Sequence, residues 1–421
     1  MLKRLIRNKF FIELFKNVSY LTIGNIIIQL LNILGLAYIA TYLGRENYGI
    51  YNTVSAFTSF FIMFTLPQMS KVIIRETIIN KKKKIEIYKD TVGLRIGLGL
   101  LSSILSAIIG LLMPYSWEIK LLIIIFSSSL FFNSLNTYLF SIYQAIGKMQ
   151  YLSYVNIIQR LLYLTFAFFG IIFDLGVRFL IISSVISLII SVIINVYLSR
   201  YFVKIPWNFK IKFYRKILHP TIIFSILLFL GYISTKIDII MISFLSTSED
   251  VGVYSLAVQL IQPSLLFRNI LFTATFPIFI KFFKKSKLRM KEAIKISMII
   301  GIFILLFVII LFIFSEKIIL LIFGKEYADS IPIFSVLIFY LFTSYMRLPF
   351  SNILQSTGNE RLVLKFAWIS PVLNIFLNIF LFNHFGLIGI AYSTLIVGAT
   401  NFIIGILLSY KVLLKQQLLI R

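Results

Sequence analysis

Five basic residues stand inside apolar stretches long enough to cross a membrane: Arg95, Arg160, Lys236, Arg268 and Arg347. One acid, Asp238, shares those stretches. A charged side chain at the centre of a membrane helix costs about 2.5–3.5 kcal/mol on insertion scales. Arg160, Lys236 and Arg268 fall deepest, so three of them against lipid would cost around 8–10 kcal/mol, as much as a whole domain's stability. They are therefore expected either to be paired inside the protein or to line a hydrated cavity that binds an anion. One carboxylate cannot pair three cations, and the imbalance favours the cavity. The planar fork of Arg suits paired oxygens of the phosphate type. Arg347 lies shallower and joins them as a fourth candidate. Arg95 begins a helix and is expected to snorkel to the cytoplasmic surface. Asp238 is the candidate for coupling to H⁺ or Na⁺.

Polar side chains accompany these charges. Thr22, Asn25, Gln29 and Asn32 follow one another at steps of three, four and three, which puts them on one helix face. Ser225, Tyr232, Ser234 and Thr235 lead to Lys236, and Tyr254, Gln259 and Gln262 precede Arg268. Such a stripe either ties helices together or wets a cavity. The expected cavity lining is Asn25, Gln29, Asn32, Gln259 and Gln262.

Other chemistry is missing. No GxxxxGK[ST] loop is present for nucleotide phosphates. The chain has no cysteine and two histidines, His219 and His384, which fall at predicted helix ends. No nucleophile set, metal cluster or cofactor site is expected, and the chain does not read as an enzyme.

The elements that must position these residues follow from composition. The 421 residues are 59% hydrophobic and 13% charged, too much apolar surface for a soluble domain of that size to bury. The apolar runs are long and unbroken, so helices rather than a barrel are predicted. Twelve spans are expected, at 18–43, 48–70, 91–113, 119–143, 151–173, 178–199, 219–245, 252–280, 293–314, 330–354, 361–383 and 386–410. Pro67 and Pro263 are expected to kink the second and eighth. No cleavable signal peptide is expected.

The net charge of +26 would suggest nucleic acid in a soluble protein. Here 31 of the 41 Lys and Arg residues fall in alternate connections and the termini, against five in the others. That asymmetry places the N- and C-termini in the cytoplasm. It makes anionic lipid headgroups, not nucleic acid, the expected partner of the Lys81–Lys84 run. Tyr42, Tyr48, Tyr115, Trp117, Tyr201 and Trp207 sit where an interfacial aromatic belt would lie.

The chain also repeats. Gly49 and Tyr51 in YLGRENYGIYN match Gly252 and Tyr254 in FLSTSEDVGVYS, and Gln144 and Gly147 match Gln355 and Gly358. Six helices per repeat make the repeats parallel. The expected architecture is an all-α polytopic membrane protein, with about 12 transmembrane helices in two parallel six-helix repeats around a central cavity. An N-terminal lobe of 1–208 and a C-terminal lobe of 209–421 would join near Pro206.

Four segments in order, LGRENYGIYNTVSAF, STSEDVGVYSLA, LIFGKEYADSIPIF and QSTGNERLV, resemble the polysaccharide-unit flippases of the multidrug/oligosaccharidyl-lipid/polysaccharide superfamily. These are the translocases of O-antigen and capsule repeat units. The resemblance implies alternating access and an undecaprenyl-diphosphate-linked oligosaccharide as cargo. The cargo would move from the cytoplasmic to the outer leaflet of a bacterial cytoplasmic (inner) membrane. It implies a cationic internal cavity, to which Lys236, Arg268 and Arg160 correspond in type. Glycan polymerase and chain-length proteins are the partners such a pathway implies. A cation-coupled multidrug exporter of the same superfamily is an alternative, but it would call for carboxylates in its cleft. A lipid II flippase is another; that variant usually has fourteen helices.

Overall fold

The computed structural model describes residues 9–79, 84–202, 215–284, 290–357 and 360–420. Lys81–Lys83 of the basic run, Pro206, Trp207 and Gly358 lie outside the described residues.

The described residues form helices, short 3₁₀ turns and loops, without a strand. In order they are α1 (Lys9–Phe60), a 3₁₀ turn Phe61–Thr65, α2 (Met69–Ile79), α3 (Lys84–Leu112), α4 (Trp117–Ala145), α5 (Met149–Ile172), α6 (Gly176–Ser199), α7 (Arg215–Leu245) and α8 (Ser248–Lys284). Then follow α9 (Met290–Phe323), a 3₁₀ turn Lys325–Tyr327, α10 (Ser330–Met346), α11 (Leu348–Ser356), α12 (Glu360–Ala367), α13 (Ile369–Phe385) and α14 (Leu387–Ile420). Among the described residues nine helical stretches are long and apolar enough to cross a membrane. The first, Ser19–Ile79, holds two predicted spans. Helices α7 and α8 stand where the seventh and eighth are predicted. The protein is a multi-pass, all-α membrane protein.

The breaks have local causes. Gly44 interrupts α1 with φ 66° and ψ 177°, a conformation essentially confined to glycine. Gly324 does the same between α9 and the second 3₁₀ turn, at φ 77° and ψ −178°. The tenth predicted span divides at Arg347 into α10 and α11, with Pro349 in the first turn of α11. The second predicted span breaks after Phe60, ahead of Pro67. The eighth does not: α8 runs through Pro263 as one helix.

The chain divides into two compact units, residues 1–43 with 50–232 and residues 44–49 with 233–421. In the first, α3 and α4 pack through small residues. Gly99 faces Phe131 and Ser134, and Gly110 faces Ile123. Ser127 donates to Ser106 over 2.8 Å. Small residues let helix backbones approach where lipid supplies no hydrophobic drive. A buried cluster of Met69, Ile73, Tyr88, Val92, Tyr138 and Ile142 joins α2, α3 and α4.

In the second unit the repeat signature has a structural meaning. A Cβ on Gly49 would collide with the Ser248 carbonyl, and a Cβ on Gly252 with the Arg45 carbonyl. The offset of 203 residues that relates Arg45 to Ser248 and Gly49 to Gly252 exchanges the two contacts, so the crossing is reciprocal. Around it, Arg45 pairs with Asp329 at 2.6 Å and its Nε donates to the Glu326 carbonyl. Glu326 Oε1 accepts from the Arg45 backbone N–H at 3.0 Å. Tyr48 meets Tyr327 edge-on at 6.4 Å. Burial, with Tyr48 and Glu326 beside it, pushes the Tyr327 hydroxyl well above its ordinary value.

Arg95 corrects an expectation. It does not snorkel; it is fully buried. Its Nη1 donates to the carbonyls of Thr65 at 2.6 Å and Leu66 at 3.0 Å, and its Nη2 to Ser70 Oγ at 3.0 Å. The broken span explains this. After the 3₁₀ turn, Leu66 adopts φ 47°, and carbonyls freed from a helix inside a membrane must find protein donors. Arg95 supplies them. Arg95→Leu is expected to lower stability by about 1–3 kcal/mol, since the Thr65 carbonyl loses its donor while the Leu66 carbonyl keeps the Met69 N–H at 2.9 Å, and Arg95→Lys by less. Unfolding in detergent micelles measures both; an unchanged Arg95→Leu midpoint would remove Arg95 from this role.

Candidate functional site

Arg268 lies on α8, five residues beyond Pro263. Its Nη1 donates to Ser344 Oγ on α10 and its Nη2 to Asn269 Oδ1 at 3.0 Å. Both partners are neutral. Arg347, at the α10–α11 break, lies within electrostatic reach of Arg268 and Tyr340. It packs its stem against Gly405, where an added Cβ would stand 3.6 Å from Arg347 Cγ. The second unit thus brings two guanidinium groups together. Lys236, on α7, belongs to the same unit. The ion pairs among the described residues are Arg45–Asp329 and Arg178–Glu118, so Arg268, Arg347 and Lys236 have no described carboxylate partner.

Arg160 belongs to the first unit. It stands on α5 with its guanidinium carbon 5.1 Å from the centre of the Tyr163 ring, a cation–π contact. Tyr163 in turn donates to Tyr51 Oη over 3.2 Å. Gly35 on α1 leaves the space: a Cβ there would lie 3.0 Å from Arg160 Nη2. Arg160 Nε is buried without a hydrogen-bond partner among the described residues.

Asp238 is two residues from Lys236, and residues so spaced on a helix do not face each other. Its carboxylate is buried and held by neutral donors. Tyr254 Oη and Thr394 Oγ1 each donate to Oδ2 at 2.8 Å, and Asn378 Nδ2 donates to Oδ1 at 2.8 Å. Asn378 Nδ2 also reaches Asn374 Oδ1 at 3.2 Å, and Asn378 Oδ1 is buried without a partner. The cluster therefore gathers oxygen atoms from α7, α8, α13 and α14. A carboxylate ringed by hydroxyl and amide donors is a group that a proton could neutralise. Among the described residues no group of three or more His, Cys, Asp or Glu side chains converges as a metal cluster would.

The polar lining candidates remain open to their surroundings within their units. Asn25 is exposed, and Gln29, Asn32, Gln259 and Gln262 are partly exposed. His384 ends α13, exposed, with Nδ1 2.8 Å from the Phe380 carbonyl; the side chain of His219 lies outside the description.

The residues that sequence reasoning missed are Ser344, Asn374, Asn378 and Thr394. Asn374 and Asn378 stand one helical turn apart in an apolar run, the signal already used for the stripe on α1. Ser344 had no such signal, since a lone serine in a membrane helix is ordinary.

This arrangement belongs to a known fold. An inward-facing multidrug resistance MATE family transporter of the MOP superfamily superposes with a TM-score of 0.77 at 16% identity, covering 95% of this chain and 99% of that one. The lipid II flippase MurJ, in an inward closed conformation, also superposes at 0.77, with 17% identity over 94% of this chain and 87% of that one. An outward-facing MATE family transporter superposes at 0.63, with 16% identity over 96% of each chain. These establish the fold of MOP superfamily transporters.

The family follows from sequence. The family described as "Polysaccharide biosynthesis protein" matches residues 14–283, well over half of the chain, and this protein belongs to it. The MatE family matches residues 220–380. The "Capsular polysaccharide biosynthesis protein CapF" of Staphylococcus aureus is 24% identical over 385 residues, 90% of this chain and 94% of that protein. The "Probable low-salt glycan biosynthesis flippase Agl15" of Haloferax volcanii is 26% identical over 174 residues, 41% of this chain and 37% of that protein.

Removing the Asp238 carboxylate strands its donors. Asp238→Ala is expected to cost about 1–3 kcal/mol, and Asp238→Asn less, since hydroxyl donors can rotate. Thermal unfolding in detergent tests this, and an Asp238→Ala midpoint equal to wild type would show that the donors do not depend on it.

Proposed function

We propose that this protein is a flippase that carries an undecaprenyl-diphosphate-linked oligosaccharide repeat unit from the cytoplasmic to the outer leaflet of a bacterial cytoplasmic membrane by alternating access. The observation that carries the proposal is the mismatch of charge. Arg268 has neutral hydrogen-bond partners and lies within electrostatic reach of Arg347, neither has a carboxylate partner among the described residues, and Asp238 is occupied by neutral donors. Such a site lacks an anion, and a diphosphate supplies one. Family membership and the likeness to CapF support a glycan as cargo.

The cargo has three parts with three solvents. A polyprenyl tail stays in hydrocarbon. Sugars cannot cross hydrocarbon without replacing their hydration, which Asn25, Gln29, Asn32, Gln259 and Gln262 would do with amide groups. The diphosphate would be held by Arg268, Arg347, Lys236 and Arg160, with the guanidinium forks gripping paired oxygens. This reading includes two lobes, 1–208 and 209–421, with the N- and C-termini in the cytoplasm. It makes the protein a transporter rather than an enzyme. Glycan polymerase and chain-length proteins would receive its product.

An inside-negative potential favours outward passage of an anion by about 2.3 kcal/mol per charge per 100 mV. Coupling through Asp238 is the other source of drive. A multidrug exporter for cationic compounds would need carboxylates where this chain has arginines.

Arg268→Ala is expected to insert normally and to fail in glycan export. Arg268→Lys should recover part of the activity, because charge returns without the fork. Surface-glycan labelling in cells reads both, and wild-type export by Arg268→Ala would end the assignment. Flipping in proteoliposomes should respond to imposed voltage. If it responds instead to a Na⁺ or pH gradient, and Asp238→Asn abolishes that response, the drive lies at Asp238.

A further inference from the structure

An apolar groove of about 610 Å³ opens in the second unit between α8, α9 and α10. That size lies within the range of small-molecule pockets, roughly 300–1,000 Å³. Its walls are Pro263, Phe267 and Leu271 of α8 and Ile299, Phe303 and Phe307 of α9. Each wall runs over nine residues, 263–271 and 299–307, about 12 Å at a rise of 1.5 Å per residue. The first lies in the middle third of α8, and the second in the first half of the spanning stretch Ala293–Phe323.

Arg268 stands on its rim. It is four residues after Ser264 and three before Leu271, both groove-lining, and such residues share a helix face. The far side is fixed by two neighbouring residues of α10. Ser344 accepts from Arg268 Nη1, and Tyr345, which lines the groove, donates to the Ser264 carbonyl at 2.5 Å. An apolar slot and a guanidinium group thus sit within one helical turn of each other.

We propose that this groove binds the first isoprene units of the polyprenyl chain while Arg268 holds the diphosphate to which that chain is joined. The proposal rests on the flippase reading and places the tail, which that reading leaves anywhere in lipid. Charge complementarity selects the occupant. A diphosphate-linked prenyl chain carries its anion directly on the hydrocarbon, whereas a phospholipid keeps its phosphate at the membrane surface, far from the middle of these spans. The contact would also fix where the cargo's head begins, whatever sugars follow.

The test uses the full-length protein in phosphatidylethanolamine–phosphatidylglycerol vesicles with a photoactivatable geranylgeranyl diphosphate. Cross-linked residues are mapped by mass spectrometry. Labelling is expected at Phe267, Leu271, Ile299 or Phe303, displaced by unlabelled geranylgeranyl diphosphate and not by added phosphatidylglycerol. Ile299→Trp, which fills the groove from a half-exposed position, should lower labelling about tenfold, the loss expected when roughly two methylene groups no longer bury. Leu321→Trp, on the same helix at an 88% exposed position, should leave it unchanged. Equal labelling of the groove by a photoactivatable phosphatidylglycerol would overturn the proposal, because ordinary lipid would then be its occupant. Saturable labelling confined to other helices would also overturn it and leave the flippase reading standing. No saturable labelling anywhere would sink both.

Discussion

Hydrocarbon offers no hydrogen bonds, so each polar group carried to membrane depth must be answered by the protein or by what the protein binds. The structure answers its charges in different ways. Arg95 is enclosed, with backbone carbonyls of a broken span as its partners. Asp238 is enclosed by hydroxyl and amide donors. Arg268 has one hydroxyl and one amide oxygen, both neutral, and Arg160 keeps a buried Nε without a partner. The first pair is structural in form. Arg95 also keeps a buried Nε without a partner among the described residues, so what sets Arg268 and Arg160 apart is that they are only partly buried and remain within reach of another group.

The same constraint shapes the backbone. Breaks in membrane helices occur where something accepts the consequences: Arg95 behind Leu66, glycine at 44 and 324, proline after Arg347. Close crossing at Gly49 and Gly252 leaves no room for a side chain on either helix. The motifs that mark the family resemblance are therefore chiefly turn and crossing residues. They report the frame of the fold and say little about cargo. A MATE family transporter and a lipid II flippase each share that frame with this chain, at 16% and 17% identity.

The reciprocal contact of Arg45 with Gly252 and Ser248 with Gly49 links sequence repetition to geometry. Each residue meets the counterpart of its partner's equivalent, 45 with 252 and 248 with 49, an arrangement otherwise typical of two-fold interfaces between identical subunits. Asymmetry is layered on top. The second span of the first repeat is broken and pinned by Arg95, whereas α8 of the second repeat is continuous and carries Arg268. One copy gives a fixed element and the other a partly exposed cation beside an apolar groove.

Much of this was legible in the residues alone. Apolar runs of spanning length, the one-sided distribution of Lys and Arg and the 203-residue repeat determine an all-helical, multi-pass chain in two related halves, because lipid allows few solutions to backbone satisfaction. The rarity of charge in such runs singled out Arg160, Lys236, Asp238, Arg268 and Arg347. What the runs could not disclose was the partner of each charge. Arg95 and Arg268 look alike as arginines in apolar sequence, yet one is closed over two carbonyls and a hydroxyl 25 to 30 residues away in the chain and the other meets Ser344, 76 residues away. Hydrogen bonds of that range depend on which helices become neighbours and where they break, and only the tertiary structure decides that.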